Sequence, residues 1–226
     1  MEPKLDAVKP RRPYDSRRRQ QQARQTRDAI IETARQRFLA GGFAATTIVA
    51  IAADVGVSVD TIYKGFGGKP GVVRAICEQA LAGEGPVPAE TRSDALHMSE
   101  HDPRAIIRGW GALTAEVAPR IAPILLLIRD AAAADPEMAN LQTELDVRRL
   151  ERMTNNARNL ADAGHLRSDI TVDEAGEILW TYSSPQLYEL LVAFRRWPLE
   201  RYSAFVADAI AAALLVPDTN GPVSLA

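Results

Sequence analysis

An all-α fold is predicted, with a small N-terminal helix-turn-helix domain ahead of a larger helical domain. Three observations predict it. Apolar residues recur at three- and four-residue spacing along most of the 226 residues, with no strand-like alternation. Recognisable helix openers and stoppers punctuate that pattern. Residues 47–69, TIVAIAADVGVSVDTIYKGFGGK, read as a short helix, a tight turn and a second short helix. A hydrophobic share of 46% is ample for a packed core.

Taken in order, the first helix carries Ile30, Ile31, Ala34 and Phe38 on one face and stops at Gly41-Gly42. Its start is open. Neither Gly nor Pro occurs from Ser16 to Gly41, so it begins as early as Ser16 or at the capping residue Thr26. The second helix places Ile48, Ile51, Ala52 and Val55 at i, i+3, i+4 and i+7. Gly56 ends it, because glycine takes the left-handed conformation without steric cost. Ser58 caps the third helix. Val57, Ile62 and Phe66 lock the pair together, and small Ala52 permits a close crossing. A fourth helix follows Lys69 with Val72, Val73 and Ile76 inward. Residues 83–102 carry glycine and proline breaks and little periodicity, and read as a mobile connection.

Asp102-Pro103 is a cap followed by proline at the first helical position, and opens a helix with Ile106, Trp110, Leu113 and Val117 on one face. Arg120–Ala134 is apolar nearly all round, which predicts a buried central helix. Asp135-Pro136 repeats the opening for a long helix ending at Gly164. Thr171-Val-Asp-Glu174 is a capping box. It opens a helix through Leu190, Leu191 and Phe194, which Pro185 kinks. Trp197-Pro198 starts the last helix, where Tyr202, Phe205, Val206, Ala209, Ile210, Ala213 and Leu214 recur. No apolar run reaches membrane-spanning length, since Pro123 breaks Ile121–Ile128.

The formal charge of −2 conceals an asymmetry. Residues 1–77 hold 14 Lys/Arg and 7 Asp/Glu, whereas the remainder holds 13 Arg and 22 Asp/Glu. A basic head on an acidic body points to nucleic acid at the head alone. Arg17, Arg18, Arg19 and Arg24 are expected to neutralise phosphates near the docked helices. Lys4–Arg12 reads equally as such an arm or as a solvated tail. On the second helix of the motif the exposed groups should be Val59, Asp60, Thr61, Tyr63 and Lys64, with Ile62 in the core. Thr47, Ser58 and Lys69 complete the expected DNA-contacting set.

The order of these features resembles the DNA-binding domain of the TetR (tetracycline-repressor-like) transcriptional regulators. The resemblance rests on the first helix ending in Gly41-Gly42-Phe43, Thr46-Thr47, Ile51-Ala52, Gly56-Val57-Ser58, Thr61-Ile62-Tyr63, Phe66 and Lys69. It is specific over residues 24–81 and architectural beyond. Gly65, Gly68 and Pro70 depart from the family pattern. The resemblance implies a basic, partly disordered arm at 1–23, the DNA-binding domain at 24–81, a regulatory and dimerisation domain at 82–216 and a disordered tail at 217–226. It also implies a homodimer through the last two helices, about residues 171–215, reading a near-palindromic double-stranded operator. The implied function is that of a repressor released by a small, largely apolar ligand. Trp110, Thr114, Arg129, Arg149, Met153, Trp180 and Tyr182 are the candidate ligand contacts, being large or polar groups near buried faces.

Other classes fit less well. There is no Gly-rich phosphate loop and no nucleophile elbow, so no enzyme is expected. His97 and His101 are four apart, but in the poorly patterned connection, where a chance pair outweighs a metal site. No metal or cofactor is expected. The single Cys77 rules out an internal disulfide and, with a polar N-terminus lacking a secretory signal, fits a cytoplasmic protein without a membrane partner. The alternative reading is a helical DNA-binding protein without an effector, governed by protein contacts or abundance. A cavity between the middle helices separates the two readings.

Overall fold

The computed structural model describes residues 14–82 and 87–216. Among these residues there are α-helices and no strand, and one isolated antiparallel bridge joins Leu166 to Leu215. The expected assignments for residues 1–13, 83–86 and 217–226 lie outside the described residues.

Helix α1 spans Tyr14–Ala45 and leaves helical geometry at Gly42, φ 79° and ψ 172°. It starts ahead of both predicted starts and passes through Thr26. Arg17, Arg18, Arg19 and Arg24 therefore stand on a helix, not on a flexible arm, and a boundary at residue 23 falls inside that helix. The physical reason is the absence of any breaker before Gly41. Helices α2 (Ile48–Val55) and α3 (Val59–Phe66) flank Gly56 at φ 74°, and α4 runs Lys69–Ala82. Gly71 sits where a Cβ would lie 1.7 Å from the Phe66 carbonyl oxygen, so glycine is required for α3 and α4 to meet.

The connection departs from expectation. Helix α5 occupies Ala89–Ser99. Tertiary contacts hold it: Arg92 makes a bidentate pair with Glu116 (2.6 and 2.7 Å), and Leu96 packs where Gly109 leaves room on the next helix. That next helix, α6, is one unbroken Pro103–Ala132 with Pro119 and Pro123 inside it. An 18-residue window of α6 reaches a mean hydropathy of 1.5, so by length and composition it could cross a membrane, contrary to the expectation that Pro123 interrupts it. Its apolarity has a packing explanation, because α6 is a wall of both cores. Ile121, Ile124 and Ile128 join the core of α1–α4, whereas Ile106, Ile107 and Trp110 join that of the body.

Helix α7 (Pro136–Asp162) opens as predicted, with Asp135 accepting from the Glu137 and Met138 amides, and Gly164 follows its end at φ 72°. Helix α8 (Val172–Tyr182) begins with the predicted capping box. Pro185 breaks the helix instead of kinking it. Ser184 caps a new start, α9 (Pro185–Tyr188), which continues as a π-helical segment over Glu189–Phe194. Helix α10 (Leu199–Leu214) buries Tyr202, Val206, Ile210 and Leu214, successive i+4 positions on one face. Each such fully buried large side chain contributes about 2 kcal/mol of transfer free energy. Ile210, an expected interface residue, is thereby core.

Candidate functional site

The motif is held from three sides. Thr47 caps α2 by accepting the Ala50 amide at 3.1 Å, and Ser58 caps α3 by accepting the Thr61 amide at 3.1 Å. Buried Thr46 donates its hydroxyl to the Gly42 carbonyl at 2.9 Å, fixing the α1–α2 corner. Arg37 of α1 forks onto Asp54 of α2 at 2.5 and 2.8 Å, which pulls that carboxyl below its usual range. Arg27 of α1 donates to the Gly65 carbonyl at 3.2 Å and lies 4.5 Å from the Phe66 ring centre, joining α1 to the end of α3. With Ile62 fully buried as the pivot, α3 presents one face outward.

That face carries Asp60, Thr61, Tyr63 and Lys64, all exposed. Lys64 and Asp60 pair at 2.7 Å across one turn, so the acidic residue is met within the helix itself. Val59 differs from expectation: it is half-buried against the core of α1–α4, because it packs where α3 begins. The Lys69 ammonium lies 4.0 Å from the Phe43 ring centre, and partial burial lowers its pKa. It is thus a held charge, not a freely reaching one. Thr47 and Ser58 are exposed at helix starts with their oxygens engaged in capping. Val49 of α2 lies outside the predicted contact set. It is 66% exposed, and its signal in the sequence is a valine outside the Ile48–Ile51–Val55 stripe.

Behind this domain lies a cavity of about 420 Å³ among α4 to α8, with Ser184, Pro185 and Ile210 of α10 also in its wall. Of the predicted contacts, Trp110, Thr114, Arg149 and Met153 line it. Arg129 does not. It bonds Asp130 at 2.9 Å and Glu189 at 3.1 Å, tying the end of α6 to the π-helical segment. Trp180 does not line it either: it supports Arg149 from behind, with the guanidinium 4.4 Å from the indole centre. Tyr182 packs half-buried against the body core. These three stand near buried faces, but helix rotation turns them away from the space.

Among the wall residues outside the predicted set are two buried polar ones. Asn156 is 4% exposed and Ser93 8% exposed. For Asn156 the sequence held a signal: Leu145, Arg149, Met153, Asn156 and Leu160 recur as an inward stripe of α7, with a polar residue where an aliphatic one is usual. Cys77 also lines the space, and burial pushes its thiol up to about 12, which keeps it neutral and unreactive. Among the described residues no group of acidic, histidine or cysteine side chains could hold a metal.

Helix α4 connects the two regions. Its first residues pack beside Phe43 and Phe66, whereas Cys77 and Leu81 belong to the cavity wall. Between them Arg74 grips Glu144 of α7 through both carboxylate oxygens, holding that carboxyl below its usual range.

Comparison with known proteins agrees with this geometry. Residues 30–76 match the profile of the family described as bacterial regulatory proteins, tetR family. No curated protein sequence matches the chain significantly. Among solved structures, SmeT in complex with triclosan superposes with a TM-score of 0.66 at 23% identity, over 89% of this chain and 97% of that one. NalD, the secondary repressor of the MexAB-OprM multidrug efflux pump in Pseudomonas aeruginosa, gives 0.65 at 17% identity, over 85% and 98%. SmeT described as the repressor of the Stenotrophomonas maltophilia multidrug efflux pump SmeDEF gives 0.62 at 20%, over 88% and 95%. These likenesses establish the fold across both domains, and the profile match falls on the helix-turn-helix described above. With an exposed α3 face, a basic α1 and that profile on one domain, residues 30–76 are a helix-turn-helix domain of the tetR family of bacterial regulatory proteins, carried on a helical body whose fold those solved structures share.

Proposed function

We propose that the chain is a dimeric repressor that leaves its operator when a small, largely apolar molecule fills the cavity. The carrying observation is that one helix, α4, has its first turn in the core of the DNA-binding domain and its last turns in the cavity wall. A ligand seated between α4 and α7 that prefers one placement of α4 also selects one placement of α3. The effector then acts by differential affinity for two placements, and operator binding weakens ligand binding by the same factor. The cavity favours this reading over effector-free control. SmeT complexed with triclosan is a fold relative with a bound small molecule, which agrees with it.

On DNA, Tyr63 and Lys64 contact phosphate, Thr61 reaches base edges and Val49 offers a methyl contact. Thr47 and Ser58 lie at helix N-termini, which favour phosphate, and Lys69 adds a short-range charge. Val59 supports the helix from below. The α1 face carrying Arg17, Arg24 and Arg27 continues the basic surface outward, with Arg18 and Arg19 beside it. The dimer forms through α9, its π-helical extension and α10, where Leu190, Phe194 and Phe205 are 58%, 76% and 38% exposed. Half-sites then lie about one DNA turn, ~34 Å, or a multiple apart. The regulator acts where the DNA is, in the cytoplasm.

The test is selection of bound DNA from a random pool, followed by a compound screen scored by release of that DNA. A near-palindromic site, and released DNA accompanied by a change in Trp110 fluorescence, is the expected result. A site without two-fold symmetry would remove the dimer. Release insensitive to Trp110→Phe and Met153→Ala would remove this cavity as the effector site.

A further inference from the structure

The cavity's charges are not evenly placed. Its acids, Glu78, Glu90 and Asp146, lie toward solvent: Glu78 and Glu90 are exposed and the Asp146 side chain is 45% exposed. The two least exposed charged groups in the wall are both arginines, Arg149 at 17% and Arg152 at 21%. Arg152 is engaged with Asp94 at 2.7 Å and the Glu90 carbonyl at 3.2 Å. Arg149 is held but not used up. Its Nη1 donates to the Trp180 carbonyl at 2.5 Å and to the Ser183 hydroxyl at 3.3 Å, and its Nη2 donates to Asp146 at 3.1 Å. A guanidinium has five N–H donors. The Nε–H has no acceptor among the described residues and Nη2 keeps a second donor, so the guanidinium has hydrogen bonds left to give a carboxylate.

The guanidinium is also fixed in advance. It lies 4.4 Å from the centre of the Trp180 indole, and burial lowers its pKa although Asp146 beside it acts the other way. Two helical turns further along α7 is Asn156, 4% exposed, lining the same space, its side-chain amide without a hydrogen-bond partner among the described residues. Its amide opens on the cavity, where a ligand can hydrogen-bond to it. The two polar positions are separated along the helix by a rise of about 10 Å. Met153, Val117 and Ile121 supply an aliphatic wall of the cavity they share.

The geometry points to an elongated, apolar monocarboxylate as the effector, its carboxylate on Arg149 and a hydrogen-bonding group at its far end on Asn156. This rests on the ligand-controlled reading above and narrows it to a charge, a length and an orientation. Arg129, engaged with Glu189 outside the cavity, has no part in it.

The test uses the full-length chain and three probes with one alkyl chain and different heads: decanoate, decan-1-ol and decylamine. Binding is measured by calorimetry and by Trp110 fluorescence, and operator release by anisotropy. Decanoate should bind at least tenfold more tightly than either other probe, following the worth of a charge-assisted pair. Arg149→Met should abolish the preference for decanoate over decan-1-ol. Adding a terminal hydroxyl, as 10-hydroxydecanoate, should strengthen binding to the native chain and weaken it in Asn156→Leu. The three-way comparison on the native chain stands even if a variant misfolds. Release of operator by the alcohol or amine, with decanoate no better, would overturn the monocarboxylate and leave ligand control standing. Failure of every probe to bind would overturn both.

Discussion

Removing Arg17 and Arg24 together tests whether helix α1 touches DNA. Seven residues separate them, so they lie on nearly the same helical face, and Arg27 follows three residues later. Arg27 is anchored at the Gly65 carbonyl, which aligns that face with the end of the recognition helix. The first core residue of α1 is Ile30, so Arg17 stands about 20 Å along the helix from the core. Two arginines on each of two protomers would neutralise four phosphates. Each contact contributes about 0.9 to the slope of log affinity against log salt, so Arg17→Ala/Arg24→Ala should flatten that slope by about 3.6. Both side chains are exposed and outside the core, so unfolding stability should change by no more than about 0.5 kcal/mol. The assay is operator anisotropy between about 50 and 200 mM salt, a range over which several phosphate contacts change affinity by orders of magnitude. An unchanged slope with weakened binding would mean that α1 acts by folding and not by contact. An unchanged slope with unchanged binding would mean that it projects away from the duplex.

Three further outcomes follow from the same structure. Gly71→Ala places a Cβ within 1.7 Å of the Phe66 carbonyl oxygen, a backbone atom that cannot swing aside, so urea unfolding should show a loss of about 1–3 kcal/mol. Phe194→Asp with Phe205→Asp should leave helicity intact and give a sedimentation mass of one chain, because both rings are already exposed in the single chain; a dimer that persists would place the interface elsewhere. Cys77 and Tyr202 are both raised by burial to about 12, from ordinary values of 9.0 and 10.0. Their neutral forms are favoured by folding, so their contribution is fully present below about pH 9 and is lost as pH rises from 9 towards 12. A pH series of unfolding midpoints with no alkaline decline attributable to Cys77→Ala would contradict the buried thiol.

How much of this was legible in the sequence depends on whether the cause was local. Gly56, Ser58, Asp102-Pro103, Asp135-Pro136 and the Thr171–Glu174 box act within one turn of themselves, and each set an element boundary as read. The inward stripes of α1, α2 and α10 were legible for the same reason, since helical periodicity alone selects a face. The helix-turn-helix motif is built from these two local effects, which is why the residues from Thr47 to Lys69 pointed to nucleic acid before any packing was known.

What the tertiary structure decided was how those elements pack. Helix α5 has weak periodicity of its own and is held by Arg92 on Glu116 and Leu96 against Gly109, partners many residues away. Pro119 and Pro123 stay inside α6 where both cores hold that helix, whereas Pro185 starts a new one because Ser184 is there to cap it. Arg129 and Arg149 look alike in sequence, each a cation beside apolar neighbours. Only the rotation of α6 and α7 sends one to Glu189 and the other into the cavity wall. A sequence specifies the faces of its helices through short-range sterics and hydrogen bonds. Which polar residue on an inward face meets a void, and which meets a partner, is settled by the relative rotation and crossing of helices far apart in the chain.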